Sequence, residues 1–172
     1  MYRQRGLTLV EMMIVFSIVV VMITIAAPGF GRLIAGQRIS TVRDSLFSAI
    51  QYAKSQAVHR NVSMSLCPSL DGVSCYSSTN WAQGWLVYID ALPVGWGVGD
   101  VVLRAWPGSE SVDQGAVGTL GLIRFRPQGT ASHGANQTIG FCDPARRVLG
   151  RSLVIATSTG QVRNGSAEEA GC

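Results

Sequence analysis

Gly6-Leu7-Thr8-Leu9-Val10-Glu11-Met12-Met13-Ile14-Val15-Phe16 opens an apolar run that continues to Ala26-Ala27 and stops at Pro28. The twenty-one residues from Leu7 to Ala27 contain one ionisable side chain, Glu11. As a helix rising about 1.5 Å per residue they span about 31 Å, the hydrocarbon thickness of a bilayer. Twelve of them are Leu, Ile, Val or Phe. Each of those favours insertion by about 0.3–0.6 kcal/mol, so a mid-membrane cost of about 3 kcal/mol for Glu11 still leaves insertion favourable. Arg3 and Arg5 precede the run and are expected to hold the N-terminus on the cytoplasmic side. A carboxylate inside such a helix marks a function and calls for a cationic partner.

Outside that run the composition is ordinary. The chain has 172 residues, enough for one domain and an appendage. Apolar residues make up 47% and charged residues 14%, against about 25% charged in soluble domains. The net charge is +4, and Lys54 is the only lysine among the fourteen basic residues. That excess is spread too thinly to define a nucleic-acid partner by itself. Four cysteines stand at 67, 75, 142 and 172, with no C-x-x-C and no histidine at ligand spacing, which argues against zinc. An even number in a small exported domain points to two disulfides. Three pairings are open. Cys67 with Cys75 would close a short loop, and Cys142 with Cys172 is preferred because the Gly/Ala/Ser/Glu-rich tail over 164–171 would otherwise fray.

Beyond Ala27, Pro28-Gly29-Phe30-Gly31 predicts a kink or melted turn where the helix leaves the lipid. Helical periodicity then resumes. Ile39, Val42, Leu46, Ile50, Ala53 and Ala57 recur at spacings of three and four, with Arg38, Arg43, Asp44, Gln51 and Lys54 between them. This is an amphipathic helix laid on a core and ending near Arg60-Asn61; its mixed polar face argues against a membrane-surface helix. From Asn61 onward the period changes to short strands. They are expected over 62–67, 85–89, 101–105, 123–125, 138–142, 152–156 and 162–163, with Gly and Pro in the loops between. One long N-terminal helix followed by antiparallel strands is an α+β arrangement, without internal repeats.

A secretory signal has an apolar region of about 7–15 residues with a small-residue cleavage site after it, and the present run is longer. The glycine instead precedes the run, and Pro28 follows Ala26-Ala27 directly. This arrangement resembles the class III leader of type IV prepilins. The resemblance implies that a prepilin peptidase cuts after Gly6 and that Leu7 becomes the first, N-methylated residue. Glu11 then takes the fifth mature position and Pro28 the twenty-second, both hallmarks of that family. Leucine at 7 departs from the family's usual phenylalanine but keeps its bulk and apolarity. Cleavage would create an α-amino group at Leu7, the one cation within reach of Glu11 or of a neighbouring subunit's Glu11. The implied division is a leader over 1–6, a membrane and filament-core helix over 7–28, its amphipathic half over 29–61, and a β-rich head over 62–172. The head would be periplasmic and later part of an extracellular filament.

The remainder carries a second resemblance. Leu66-Cys67-Pro68-Ser69, Gly72, Cys75 and Trp81-Ala82-Gln83-Gly84-Trp85-Leu86-Val87-Tyr88 are similar to the minor pilins FimT and FimU and the type II secretion pseudopilin GspH. So are Ala53-Lys54-Ser55-Gln56-Ala57-Val58-His59-Arg60-Asn61, Ile123-x-Phe125-x-Pro127-x-Gly129, and Ser158-Thr159-Gly160-Gln161-Val162-Arg163. The type IV pilin fold follows from this resemblance, with pilin and minor pilin subunits, the prepilin peptidase and the inner membrane as partners and no cofactor. FimT-like proteins imply DNA as a further partner through a G-R-x-R signature. Here Gly160-Gln161-Val162-Arg163 stands at that place, so Gln161 contributes no charge and only Arg163 carries over. Arg147 and Arg151 are the candidates to complete such a site if the fold brings them close.

No enzymatic constellation is present in the sequence. His59 and His133 are isolated, and His59 is read as a surface or capping group at a helix end. Glu168 and Glu169 are read as solvated charges in a floppy tail. Gly95-Trp96-Gly97-Val98-Gly99 lacks the strand-then-helix setting of a dinucleotide loop. Trp81 and Trp85 are expected in the core.

Overall fold

The computed structural model describes residues 8–91, 96–115, 121–132, 136–157 and 159–172. The expected cleavage pair Gly6–Leu7, His133, Gly95 of the glycine-spaced loop and Ser158 lie outside the described residues. Among the described residues one helix, α1 (Leu9–Arg60), precedes eight strands. These are β1 (Met64–Pro68), β2 (Gly84–Ile89), β3 (Val101–Pro107), β4 (Asp113–Gln114), β5 (Ile123–Phe125), β6 (Gln137–Cys142), β7 (Arg151–Ile155) and β8 (Val162–Gly165). Short 3-10 turns cover Trp81–Gln83 and Glu168–Ala170.

The helix does not break at 28–31, where an interruption is expected from Pro28-Gly29-Phe30-Gly31. Proline at 28 removes one amide donor and leaves the rest of the ladder intact. Such losses are tolerated in apolar helices, where local hydroxyls satisfy freed backbone groups. α1 ends at Asn61, whose φ of 54° is left-handed and whose amide closes onto the Ala57 and Val58 carbonyls.

The strands form two antiparallel sheets, ordered β3-β2-β1-β5 and β4-β6-β7-β8. In the first, Met64 pairs with Ile89 on one side and Phe125 on the other. In the second, Phe141 stands opposite Arg151, and Val154 opposite Arg163. The periodic face of α1 covers both sheets. Ile39, Leu46, Ile50, Ala53 and Ala57 are buried against Met64, Leu66, Phe125, Ile139, Phe141 and Leu153 in one core. Burying each large aliphatic side chain is worth about 1.5–3 kcal/mol, so this stripe holds helix and head together. Trp81 and Trp85 belong to that core. The outer face of the first sheet carries a smaller cluster of Cys67, Leu86 and Tyr88.

Cys67 is bonded to Cys75 and Cys142 to Cys172. The tail is docked, contrary to the expectation of a floppy segment. A Cβ added at Gly115 or Gly140 would lie 1.7 or 1.9 Å from the Ala170 carbonyl oxygen, so the tail backbone rests directly on the second sheet. Side chains at either glycine would exclude it.

Candidate functional site

The N-terminal surface is built from an interrupted burial pattern. Every described side chain from Thr8 to Ala27 is exposed, and the first α1 residue buried by the head is Ala35. Phe30, Leu33 and Ile34 extend the exposed apolar surface up to that edge. This is one helix with a bare apolar half and a packed half. By length and composition the bare half is able to cross a membrane.

Glu11 sits in the first turn of α1, and its amide donates to the Thr8 hydroxyl oxygen at 3.3 Å. Thr8-x-x-Glu11 is a capping-box spacing, a signal present in the sequence that the membrane reading passed over. A carboxylate there also faces the positive end of the helix dipole. The other polar groups of the span look after themselves. Ser17 donates to the Met13 carbonyl at 2.8 Å, as Thr24 does to Val21. Among the described residues the Glu11 carboxylate has no partner.

The three arginines singled out as DNA contacts divide. Arg147 and Arg151 line one cleft of about 590 Å³, bounded by Gly36 and Arg43 of α1 and by the β6–β7 loop. Arg163 does not line it. Arg147 is committed to Asp143 in a two-point pair, with Nε donating to Oδ2 at 2.9 Å and Nη2 to Oδ1 at 2.8 Å. The Arg147 guanidinium and the 147 amide hold the Asp143 carboxyl down to about 2. Arg163 is committed to Glu169, with Nη2 donating to Oε1 at 2.9 Å. Arg151 is exposed and among the described residues has no partner.

Glu169 shows why the tail is ordered. The Ser166 amide donates to its Oε2 at 2.6 Å, and the Glu169 amide donates to the Ser166 hydroxyl at 3.2 Å. Ser166-x-x-Glu169 is a second capping-box spacing, legible in the sequence and missed. Arg163 and these bonds hold the Glu169 carboxyl below its ordinary value.

A buried polar group missed by sequence reasoning ties the first sheet together. Ser65 of β1 donates to Asp90 Oδ2 at 2.6 Å, and Arg124 of β5 donates to the same oxygen through Nε. The Asp90 side chain is wholly buried, so the guanidinium compensates a charge that would otherwise be costly. Tyr88, pushed up to about 12 by burial and then by the Asp90 charge, stays a neutral phenol beside it. His59 is exposed in the last turn of α1. Among the described residues no three His, Cys, Asp or Glu side chains group as metal ligands.

Comparison with known proteins follows the same division of the chain. The family model described as type II transport protein GspH matches residues 43–160, and the prokaryotic N-terminal methylation motif matches residues 1–27. Among solved structures, the type IV minor pilin FimU of Pseudomonas aeruginosa PAO1 is similar at a TM-score of 0.59 and 20% identity. That match covers 77% of this chain and 91% of FimU. A second crystal form of FimU gives 0.56 at 19% identity, covering 75% and 94%. The minor pseudopilin EpsH from the type 2 secretion system of Vibrio cholerae gives 0.52 at 8% identity, covering 75% and 97%. At these identities the likeness is one of fold. No curated protein matches the sequence.

Proposed function

The chain belongs to the type II transport protein GspH family, the minor pilins and pseudopilins, and from that premise we propose that it is a minor pilin of a type IV pilus. In this reading a prepilin peptidase cuts after Gly6 and Leu7 becomes the methylated N-terminus. The segment 7–28 waits in the inner membrane with the head in the periplasm. Glu11 then pairs with the α-amino group of a neighbouring subunit as the chain is drawn into the filament, and the head takes a place at or near the tip and helps start growth. The observation that carries the reading is the bare apolar half of α1 with the Glu11 carboxylate, unpartnered among the described residues, in its first turn. A surface of that kind is stable in lipid and equally suited to the apolar core of a filament. The role is one of assembly and not of catalysis.

Deletion of the gene tests the type IV assignment. Loss of surface pili and of twitching, with type II secretion intact, is expected. Normal piliation with a secretion defect would contradict it and assign the chain to the secretion machine, the second reading favoured by the family description. DNA capture is the third reading. Its support is reduced to Arg151, because Arg147 and Arg163 are held by Asp143 and Glu169. A gel-shift assay with Arg151→Ala decides it: affinity that falls with this change and with added salt would restore DNA as a partner.

A further inference from the structure

The order of contacts along α1 gives the head a lower and an upper end. Gly36 lines the cleft beneath the β6–β7 loop, whereas Lys54 Nζ donates to the Thr159 and Gly160 carbonyls, both at 3.1 Å, in the β7–β8 loop. Gly36 and Lys54 are eighteen residues apart in sequence, about 27 Å along a helix. The β6–β7 loop therefore stands at the end of the head from which the bare apolar helix emerges. Gly36 follows Ile34, the last of the exposed apolar side chains there, by about 3 Å of helix rise.

The end of this loop and the first residue of β7 read Arg146-Arg147-Val148-Leu149-Gly150-Arg151. Leu149 is 80% exposed, among the barest large apolar side chains of the head. It is flanked by three exposed arginines. Arg151 has no partner among the described residues. Arg147 is committed to Asp143, and Arg146 gives one Nη1 bond to the Cys172 carbonyl. An exposed leucine offers nothing to a phosphodiester backbone. It does match the boundary of a bilayer, where an apolar side chain enters beneath the headgroups and cations meet their phosphates. Its place at the exit of the apolar helix favours the same partner.

We propose that the β6–β7 loop seats the head on anionic phospholipid, with Leu149 inserted beneath the headgroups and Arg151, beside Arg146, at the lipid phosphates. The inference rests on the reading that α1 spans the membrane. It gives the unassembled subunit a second contact with the bilayer, which fixes the tilt of the head before extraction.

The test uses the full chain reconstituted in phosphatidylglycerol vesicles, with a nitroxide on Leu149→Cys or, at the upper end, on Gln161→Cys. All native cysteines are disulfide-bonded, so each variant has one reactive thiol. In the floated protein the ratio of oxygen to soluble-nickel accessibility is expected to be severalfold higher at 149 than at 161. Arg151→Glu, or vesicles of phosphatidylcholine alone, should bring the two positions close together. Equal, water-like accessibility at 149 and 161 in floated protein overturns the loop contact while leaving the anchor intact. A high ratio that ignores both headgroup and Arg151→Glu overturns the anionic-lipid assignment. Immobilisation of the 149 label by duplex DNA with indifference to lipid assigns the loop to nucleic acid instead. A chain that does not float removes the membrane reading and this inference together.

Discussion

Arg163 Nη2 of β8 stands 2.9 Å from Glu169 Oε1, joining the last strand to the C-terminal 3-10 turn. The pair decides two matters together. It orders a tail whose composition suggests fraying, and it occupies the one arginine that the G-R-x-R resemblance carries over. Arg163→Ala is expected to speed hydrogen exchange at the Ser166 and Glu169 amides with little change in Tm, since both partners are solvent-accessible. Unchanged exchange over 166–170 would mean that the disulfide alone orders the tail. Because the Glu169 carboxyl is lowered in the folded state, the contribution of the pair is present above the ordinary carboxylate range and fades as pH falls.

Asp143 supplies a sharper acid response. Its carboxyl lies at about 2 in the folded chain against an ordinary 3.8, so folding favours its ionised form. Stability from this group is fully present above about pH 5 and is lost as pH falls through about 4 toward 2. Asp143→Asn should lower Tm at pH 7 and flatten the dependence of Tm on pH in that window. A parallel downward shift at all pH values would contradict the assignment.

The two disulfides should differ in worth. Chain-entropy arguments give about 2.5 kcal/mol for closing the eight-residue separation of Cys67–Cys75 and about 3.5 kcal/mol for the thirty residues of Cys142–Cys172. Urea unfolding of Cys67→Ser/Cys75→Ser and Cys142→Ser/Cys172→Ser double variants measures the difference. The second pair is expected to be the more destabilising.

Two glycines make opposite predictions. Gly140→Ala places a Cβ 1.9 Å from the Ala170 oxygen and must push the tail off the second sheet, lowering Tm and exposing the Cys142–Cys172 bond to reductant. Gly36→Ala on α1 meets nothing within 4 Å and should stabilise the helix by up to about 1 kcal/mol. Thermal melts of both variants check the pair.

The helix and most strands were legible because their periods are local. Ile39 to Ala57 repeats at three and four, and the burial of that stripe follows from it. Pro28 misled because a proline signal weighs one lost hydrogen bond as a break, while a long apolar helix carries the loss. Two-residue β4 has too little sequence to show a period. The Arg147–Asp143 and Arg163–Glu169 pairs could not be weighed as a charge count, because an arginine's availability depends on which carboxylate the fold sets beside it. Ser65 of β1, Arg124 of β5 and Asp90 just past the end of β2 converge and share no motif. By contrast Thr8-x-x-Glu11 and Ser166-x-x-Glu169 were visible as capping spacings. Their signal was masked by the stronger readings of a membrane run and a polar tail.

The proposed assembly role of Glu11 depends on the α-amino group that cleavage creates at Leu7. Mass spectrometry of sheared surface pili from cells carrying wild-type or Glu11→Ala chains tests it most directly. The proposed role requires a wild-type peptide that begins at Leu7 with a methyl group on its α-amine. Glu11→Ala is expected to be processed at the same bond but to stay in the inner-membrane fraction, absent from the pili. Glu11→Ala recovered in pili at the wild-type level, or a mature chain that does not begin at Leu7, would contradict it.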